Sequence, residues 1–111
     1  MSIATDVWVS ALIRRAEIGG AFATVARRGD ARAGSVLVKT YNPRTREAAL
    51  YSGAWGQDGE RLWMQPVDSQ AESELDAYVE RTARYDPDLW VVEIEDVEGR
   101  HFLTEAVEKD G

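Results

Sequence analysis

The chain has no cysteine, three prolines, a single histidine and no long apolar run. Each shortage removes a class of protein. Without cysteine there is no disulfide framework, no thiolate metal site and no cysteine nucleophile. One imidazole cannot build a histidine-rich metal centre. A membrane helix needs about 20 consecutive apolar residues, and no such stretch exists, so no membrane partner is expected. The opening MSIATDVWVSALIRR has no basic segment ahead of an apolar one, so it does not read as a secretory leader. By elimination the expected compartment is the cytoplasm. Lysine is scarce too, with two residues against eleven arginines.

What remains is ordinary globular material. The 111 residues are 44% hydrophobic and 30% charged, which suits one domain spanning residues 1–111 with its own core. No repeat, low-complexity tract or linker divides the chain. The net charge of −7 disfavours general nucleic-acid binding, but the charge is unevenly placed. Residues 1–46 carry eight basic and three acidic side chains, a net of +5, and residues 47–111 carry five basic and 17 acidic, a net of −12. Opposite halves of this kind attract each other within one fold or across a homodimer. Alternatively, the basic half meets an anionic partner, for which arginine's planar fork is suited.

Periodicity predicts two helices. Trp8, Ala11, Leu12 and Ala16 recur at three- and four-residue steps. They predict a helix from about Asp6, with Thr5 as N-cap and Gly19 and Gly20 as its stop. A second helix is predicted from a capping box of Ser69 and Glu72. Ala71, Leu75, Tyr78, Val79, Thr82 and Ala83 form its apolar face, and Pro87 stops it near Tyr85. Four short β-rich runs lie between the helices, at residues 21–28, 35–42, 47–55 and 61–67. Their connections at residues 29–34, 42–45 and 56–59 are short, which predicts an antiparallel meander. Residues 89–96 and 101–107 then predict a closing hairpin about a Glu98-Gly99 turn. The expected fold is α+β, in the order α-β-β-β-β-α-β-β, with an antiparallel sheet and the helices packed on one face of it. Apolar residues at both parities of several strands suggest that both sheet faces are covered.

Motifs for chemistry are sparse. The predicted hairpin sets Asp96 opposite His101, a pairing that can orient an imidazole for acid–base work, although a solvated surface pair accounts for it as well. No serine occupies a Gly-x-Ser-x-Gly elbow. The Gly29–Gly34 stretch lacks the Gly-Lys-Ser/Thr and following helix of a phosphate cradle. Glu93, Glu95, Asp96 and Glu98 could gather a hard cation, but they read better as an acidic strand that discourages edge pairing. No metal and no cofactor is expected. The candidate binding residues are Arg27, Arg28, Arg32 and Arg44 with Tyr41, Trp55 and Trp63, which could bind an anion or stack a base. The same aromatics could instead fill the core or a subunit interface.

Several segments together resemble a known family. They are Leu12-Ile-Arg-Arg-Ala-Glu17, Phe22-Ala-Thr-Val-Ala-Arg-Arg-Gly-Asp30, Ala33-Gly-Ser-Val-Leu-Val-Lys39, Leu62-Trp63 and Tyr85-Asp-Pro-Asp-Leu-Trp-Val-Val-Glu-Ile-Glu-Asp96. In combination, over residues 12–107, they resemble the short alphaproteobacterial proteins of domain-of-unknown-function family fourteen-ninety-one. The resemblance implies a bacterial, cytoplasmic domain with no assigned activity and no known site residues. The expected function is a non-catalytic interaction or accessory domain, a homodimer in one version. The alternatives are a small-ligand binder or enzyme with a tryptophan-lined pocket, and a polyanion binder acting through the arginines.

Overall fold

Trp8, Val9, Leu12 and Ala16 fall on one stripe of the N-terminal segment, and burial of that stripe fixes helix α1 (Thr5–Ile18). The computed structural model describes residues 3–55 and 61–108, the side chains of residues 54 and 55 excepted. α1 begins one residue earlier than its sequence predicts, with Ala4 at the N-cap. The Thr5 hydroxyl does not cap the helix. It lies buried under the loop at residues 29–34 and donates to the Gly34 and Arg32 carbonyls at 3.1 and 3.3 Å.

Helix α2 (Glu72–Tyr85) likewise starts without a side-chain cap, so the expected capping box does not form. Ala48 N–H donates to the Gln70 carbonyl at 2.9 Å, which keeps residue 70 extended along the sheet and delays the helix. Ser69 Oγ accepts from the Ala71 N–H instead. The predicted apolar face does pack, with Leu75 fully buried and Tyr78, Val79 and Ala83 against the core around it.

Six strands make one sheet: β1 (Phe22–Arg27), β2 (Val36–Tyr41), β3 (Ala48–Trp55), β4 (Arg61–Met64), β5 (Trp90–Glu95) and β6 (Ala106–Glu108). Their order is β1-β5-β2-β3-β4-β6. The antiparallel expectation holds for β2-β3-β4 and for β1 with β5. It fails where β5 pairs parallel to β2 and β6 pairs parallel to β4, so the sheet is mixed. β5 enters between the arms of what reads locally as a β1–β2 hairpin. Trp90 N–H donates to the Ser35 carbonyl, Asp30 N–H to the Asp88 carbonyl, and Trp90 Nε1–H to the Asp30 carbonyl. Its residues Trp90, Val91, Val92 and Ile94 are all buried, as suits a strand flanked and covered on both sides.

The expected closing hairpin does not form either. The Glu98-Gly99 turn is present, with Gly99 N–H donating to the Asp96 carbonyl. Beyond it the chain leaves β5, because Arg100 is clamped to Asp96 and Phe102 turns the backbone at φ 60°. Residues 97–105 then run as a strap to β6 at the opposite edge of the sheet. The helices lie on opposite faces, not on one. α1 and Leu103 of the strap cover Val36, Val38, Tyr51, Trp63, Trp90, Val92 and Ile94. α2 covers Leu37, Leu50, Leu89 and Val91.

Candidate functional site

α2 sits chiefly over β2 and β3 and covers Val91 of β5, leaving β1 and the Glu93–Glu95 end of β5 open on that sheet face. A groove of about 290 Å³ opens there, lined by Phe22 and Thr24 of β1, Lys39 and Tyr41 of β2, Glu72 of α2, and Glu93 and Glu95 of β5. Strand pairing explains the gathering. Lys39 is in register with Glu93, Tyr41 with Glu95, Thr24 with Glu93 and Phe22 with Glu95, so all six share one sheet face.

Lys39 occupies the inner wall and is only 4% exposed. Its ammonium meets Asp76 Oδ1 at 2.6 Å, Glu72 Oε2 at 2.9 Å and Glu93 Oε2 at 3.4 Å. Burial by itself lowers its pKa, but the hydrogen bonds to Asp76 and Glu72 and the charge of Glu93 outweigh it and hold Lys39 above the usual lysine range. It is therefore a fixed cation, not a nucleophilic amine. One ammonium faces three carboxylates, with Glu95 beside them, so the groove keeps a surplus of negative charge. Phe22, 60% exposed, and half-buried Tyr41 add apolar wall.

The sequence-derived binding residues do not converge. Arg27 donates Nη1 hydrogens to the carbonyls of Leu89 and Pro87. Arg28 lies over the Trp90 ring at 4.8 Å. Arg32 is exposed in the following loop, where its N–H donates to Asp30 Oδ2. Arg44 sits in the β2–β3 turn at the far end of β2. Trp63 is 0% exposed, stacked on Trp8 at 5.2 Å. Tyr41 alone of the set lines the groove. The side chain of Trp55 lies outside the described residues.

Asp96 and His101 do not form the expected pair. The buried Asp96 carboxylate accepts from the Arg100 guanidinium at 2.9 and 3.0 Å and from the Arg100 N–H at 2.8 Å. His101 Nδ1 accepts from the Leu103 N–H at 2.9 Å, and its ring meets Tyr51 edge-on at 5.0 Å. Both side chains serve the strap. Among the described residues no three histidine, aspartate or glutamate side chains are grouped to hold a metal ion, and no helix is long and apolar enough to cross a membrane.

The site residues missed in the sequence are Lys39, Phe22, Glu72 and Asp76. The expectation of an acidic edge for Glu93 and Glu95 is corrected, since β5 is an interior strand. One signal was available. Lys39 is one of two lysines and falls inside an otherwise uncharged strand, where a buried cation demands carboxylate partners.

Comparison with known proteins gives a consistent answer. The family described as "Protein of unknown function (DUF1491)" matches residues 3–104. The crystal structure of a DUF1491 family protein from Caulobacter crescentus CB15 is similar at 68% identity and TM-score 0.95, covering 96% of this chain and 100% of that one. An NMR structure of a DUF1491 family protein from the same organism, also 68% identical, covers 97% and 98% of the two chains at TM-score 0.90. The solution structure of protein Atu0922 from A. tumefaciens is 32% identical over 100% of both chains, with TM-score 0.81. No curated protein matches.

Proposed function

The chain belongs to the DUF1491 family, which carries no named activity, and from that premise we propose that it is a non-catalytic interaction domain of the bacterial cytoplasm whose groove captures a cationic segment of a partner. The surplus of carboxylates around Lys39 carries this reading. A lysine or arginine side chain entering between Glu93 and Glu95 would gain charge-assisted hydrogen bonds. Its aliphatic stem would lie against Phe22 and Tyr41. Chemistry is less well supported, because the only imidazole of the sequence and the one buried carboxylate among the described residues are both occupied in holding the strap. The tryptophan-lined pocket finds no support in Trp63, which is sealed in the core. The polyanion reading is weakened by the separation of Arg44 from Arg28 and Arg32, at opposite ends of β2.

The test is a titration of fluorescent peptides, one rich in arginine and lysine and one rich in glutamate, into the full chain at low and high salt. The basic peptide should bind, lose affinity as salt rises and fail to bind the Glu93→Gln/Glu95→Gln double variant. Binding of the acidic peptide instead, or basic-peptide binding that the double variant leaves unchanged, would refute the reading.

A further inference from the structure

Glu95 is the centre of a row of three side chains. Strand register sets Phe22 of β1 on one side of it and Tyr41 of β2 on the other. All three share the α2 face of the sheet and line its groove. The next row inward, Thr24, Glu93 and Lys39, differs in kind. There Glu93 already lies 3.4 Å from the Lys39 ammonium, which holds Glu72 and Asp76 as well. Among the described residues no ion pair engages Glu95. Two guanidiniums at this end of the sheet are taken by other groups. Arg100 is bound to Asp96 at 2.9 and 3.0 Å, and Arg15 Nε–H donates to the Phe102 carbonyl at 3.1 Å. Phe22 is 60% exposed and belongs to neither core. A lone exposed phenylalanine needs no explanation. One that shares a groove wall with an unpaired carboxylate and a half-buried tyrosine does.

Spacing and solvation narrow what such a row can hold. Adjacent strands are about 4.8 Å apart, so Phe22 and Tyr41 stand on backbones about 9.6 Å apart with Glu95 between them. A cation over Glu95 is then about 5 Å from each neighbour, inside the roughly 6 Å over which an aromatic ring attracts positive charge. A bare lysine ammonium is compact, strongly hydrated and has three donors. This row offers it one carboxylate and two rings, so N–H groups turned to the rings lose water without gaining a full acceptor. Methyl groups in their place remove that loss and set carbon against each ring. One N–H remains for Glu95, as a charge-assisted hydrogen bond. A quaternary ammonium keeps the ring contacts but has no hydrogen for the carboxylate. A guanidinium brings five donors, more than one carboxylate can meet.

We propose that Phe22, Glu95 and Tyr41 form an open cage for a dimethylated ammonium, the head of a dimethyllysine side chain or of free dimethylamine. The two methyls face the Phe22 and Tyr41 rings, and the N–H donates to Glu95. The remaining negative charge about Lys39 draws the cation in without touching it. The cage rests on the groove reading and names the cation that the groove selects. Register alone gathers its three side chains, so it requires no rearrangement of β1, β2 or β5.

The test uses the basic peptide of the groove titration, made with one central lysine unmodified, dimethylated or trimethylated. Each form is titrated into the full chain by fluorescence anisotropy. The dimethylated form should bind about tenfold tighter than the unmodified one, with the trimethylated form between them. Phe22→Leu and Tyr41→Leu keep apolar bulk and remove a ring. Each should cut the preference to about threefold or less, with circular dichroism and a cooperative melt checking the fold. Phe22→Trp supplies a better ring and should keep or raise the preference. Glu95→Gln should make the dimethylated and trimethylated forms bind alike. Dimethylammonium chloride as competitor separates the two sources. Displacement at concentrations near the dissociation constant of the peptide assigns a free amine, and displacement only in large excess assigns a side chain of the partner. Equal affinity for the unmodified and dimethylated forms would overturn the cage, as would a preference that survives both folded leucine variants. Tighter binding of the trimethylated form would overturn the role given to Glu95. If all forms bind alike, the cage fails and the groove reading stands. If no form binds, the groove reading fails and the cage with it.

Discussion

Trp8 of α1 and Trp63 of β4 stack with ring centroids 5.2 Å apart. Both indoles donate to one carboxylate, Glu105, at 3.3 and 3.1 Å. The Arg61 guanidinium lies over both rings, at 5.1 and 5.4 Å. Glu105 is the residue at which the strap reaches β6, so this cluster ties the first helix, an interior strand and the end of the chain together.

Glu105→Ala removes both acceptors and leaves two shielded indole N–H groups unpaired. A hydrogen bond to a charged group is worth about 1.5–3 kcal/mol, and Glu105 is half-exposed, so the expected loss is about 2 kcal/mol for the pair. Glu105→Gln keeps one amide oxygen and should lose about half as much. Urea unfolding followed by tryptophan fluorescence measures both. Equal stability of the three proteins would show that the carboxylate is not holding the strap.

The elements themselves were legible, because helix periodicity and strand alternation are local. The stripe of α1, the face of α2 and the alternation of Trp90, Val92 and Ile94 against Glu93 and Glu95 all reappear in the structure. Strand order was not legible. A turn reports that the chain reverses, not whether another strand later enters the gap, and the loop between β1 and β2 is wide enough to admit β5. The clue was the density of buried apolar residues in β5, which suits an interior strand better than a terminal hairpin. The groove was hidden for the same reason. Lys39 and Glu93 meet only because β5 pairs with β2, a contact without a sequence-local signature.

Lys39→Met should destabilise the fold by bringing three carboxylates together without their cation. Breaking a fully buried ion pair costs about 3–5 kcal/mol. The Glu72, Asp76 and Glu93 side chains are 44–53% exposed, so water screens them and about 1–3 kcal/mol is expected. The deficit should shrink in high salt, which screens the repulsion among the three carboxylates. A deficit independent of salt would point to lost packing of the lysine stem alone.

Three glycines should respond differently to alanine. A Cβ on Gly29 or Gly34 would stand 2.0 or 2.3 Å from the Asp88 carbonyl oxygen, where the loop crosses the start of β5. The atom the methyl would meet is backbone and cannot move aside cheaply, so either substitution should cost several kcal/mol, about 3 or more. Gly20 has no atom within 4 Å of its Cβ position but sits at φ +91°. Gly20→Ala should cost about 1–2 kcal/mol from backbone strain alone. Melting temperatures of the three variants give the ranking, and a Gly20→Ala loss equal to the others would contradict the close approach of the loop to β5.

Acid should destabilise the protein in two separate windows. Burial lowers the pKa of His101. The Arg100 side-chain hydrogen bonds lower that of Asp96, against the opposing effect of burial. Both groups are thus less basic folded than unfolded. Each contributes stability that is present above its unfolded pKa and lost as pH falls toward its folded one. The losses begin below about pH 6.5 for His101 and below about pH 3.9 for Asp96. Urea midpoints taken from pH 8 to pH 3 at constant ionic strength should stay level above pH 7 and then fall in two steps. His101→Asn keeps an acceptor for the Leu103 N–H and removes the titration, so it should flatten the upper step and leave the lower one. Asp96→Asn should flatten the lower step, while lowering stability at pH 7 because Arg100 loses its anion. An upper step that persists in His101→Asn would mean that another group, not the half-buried imidazole, takes up the proton.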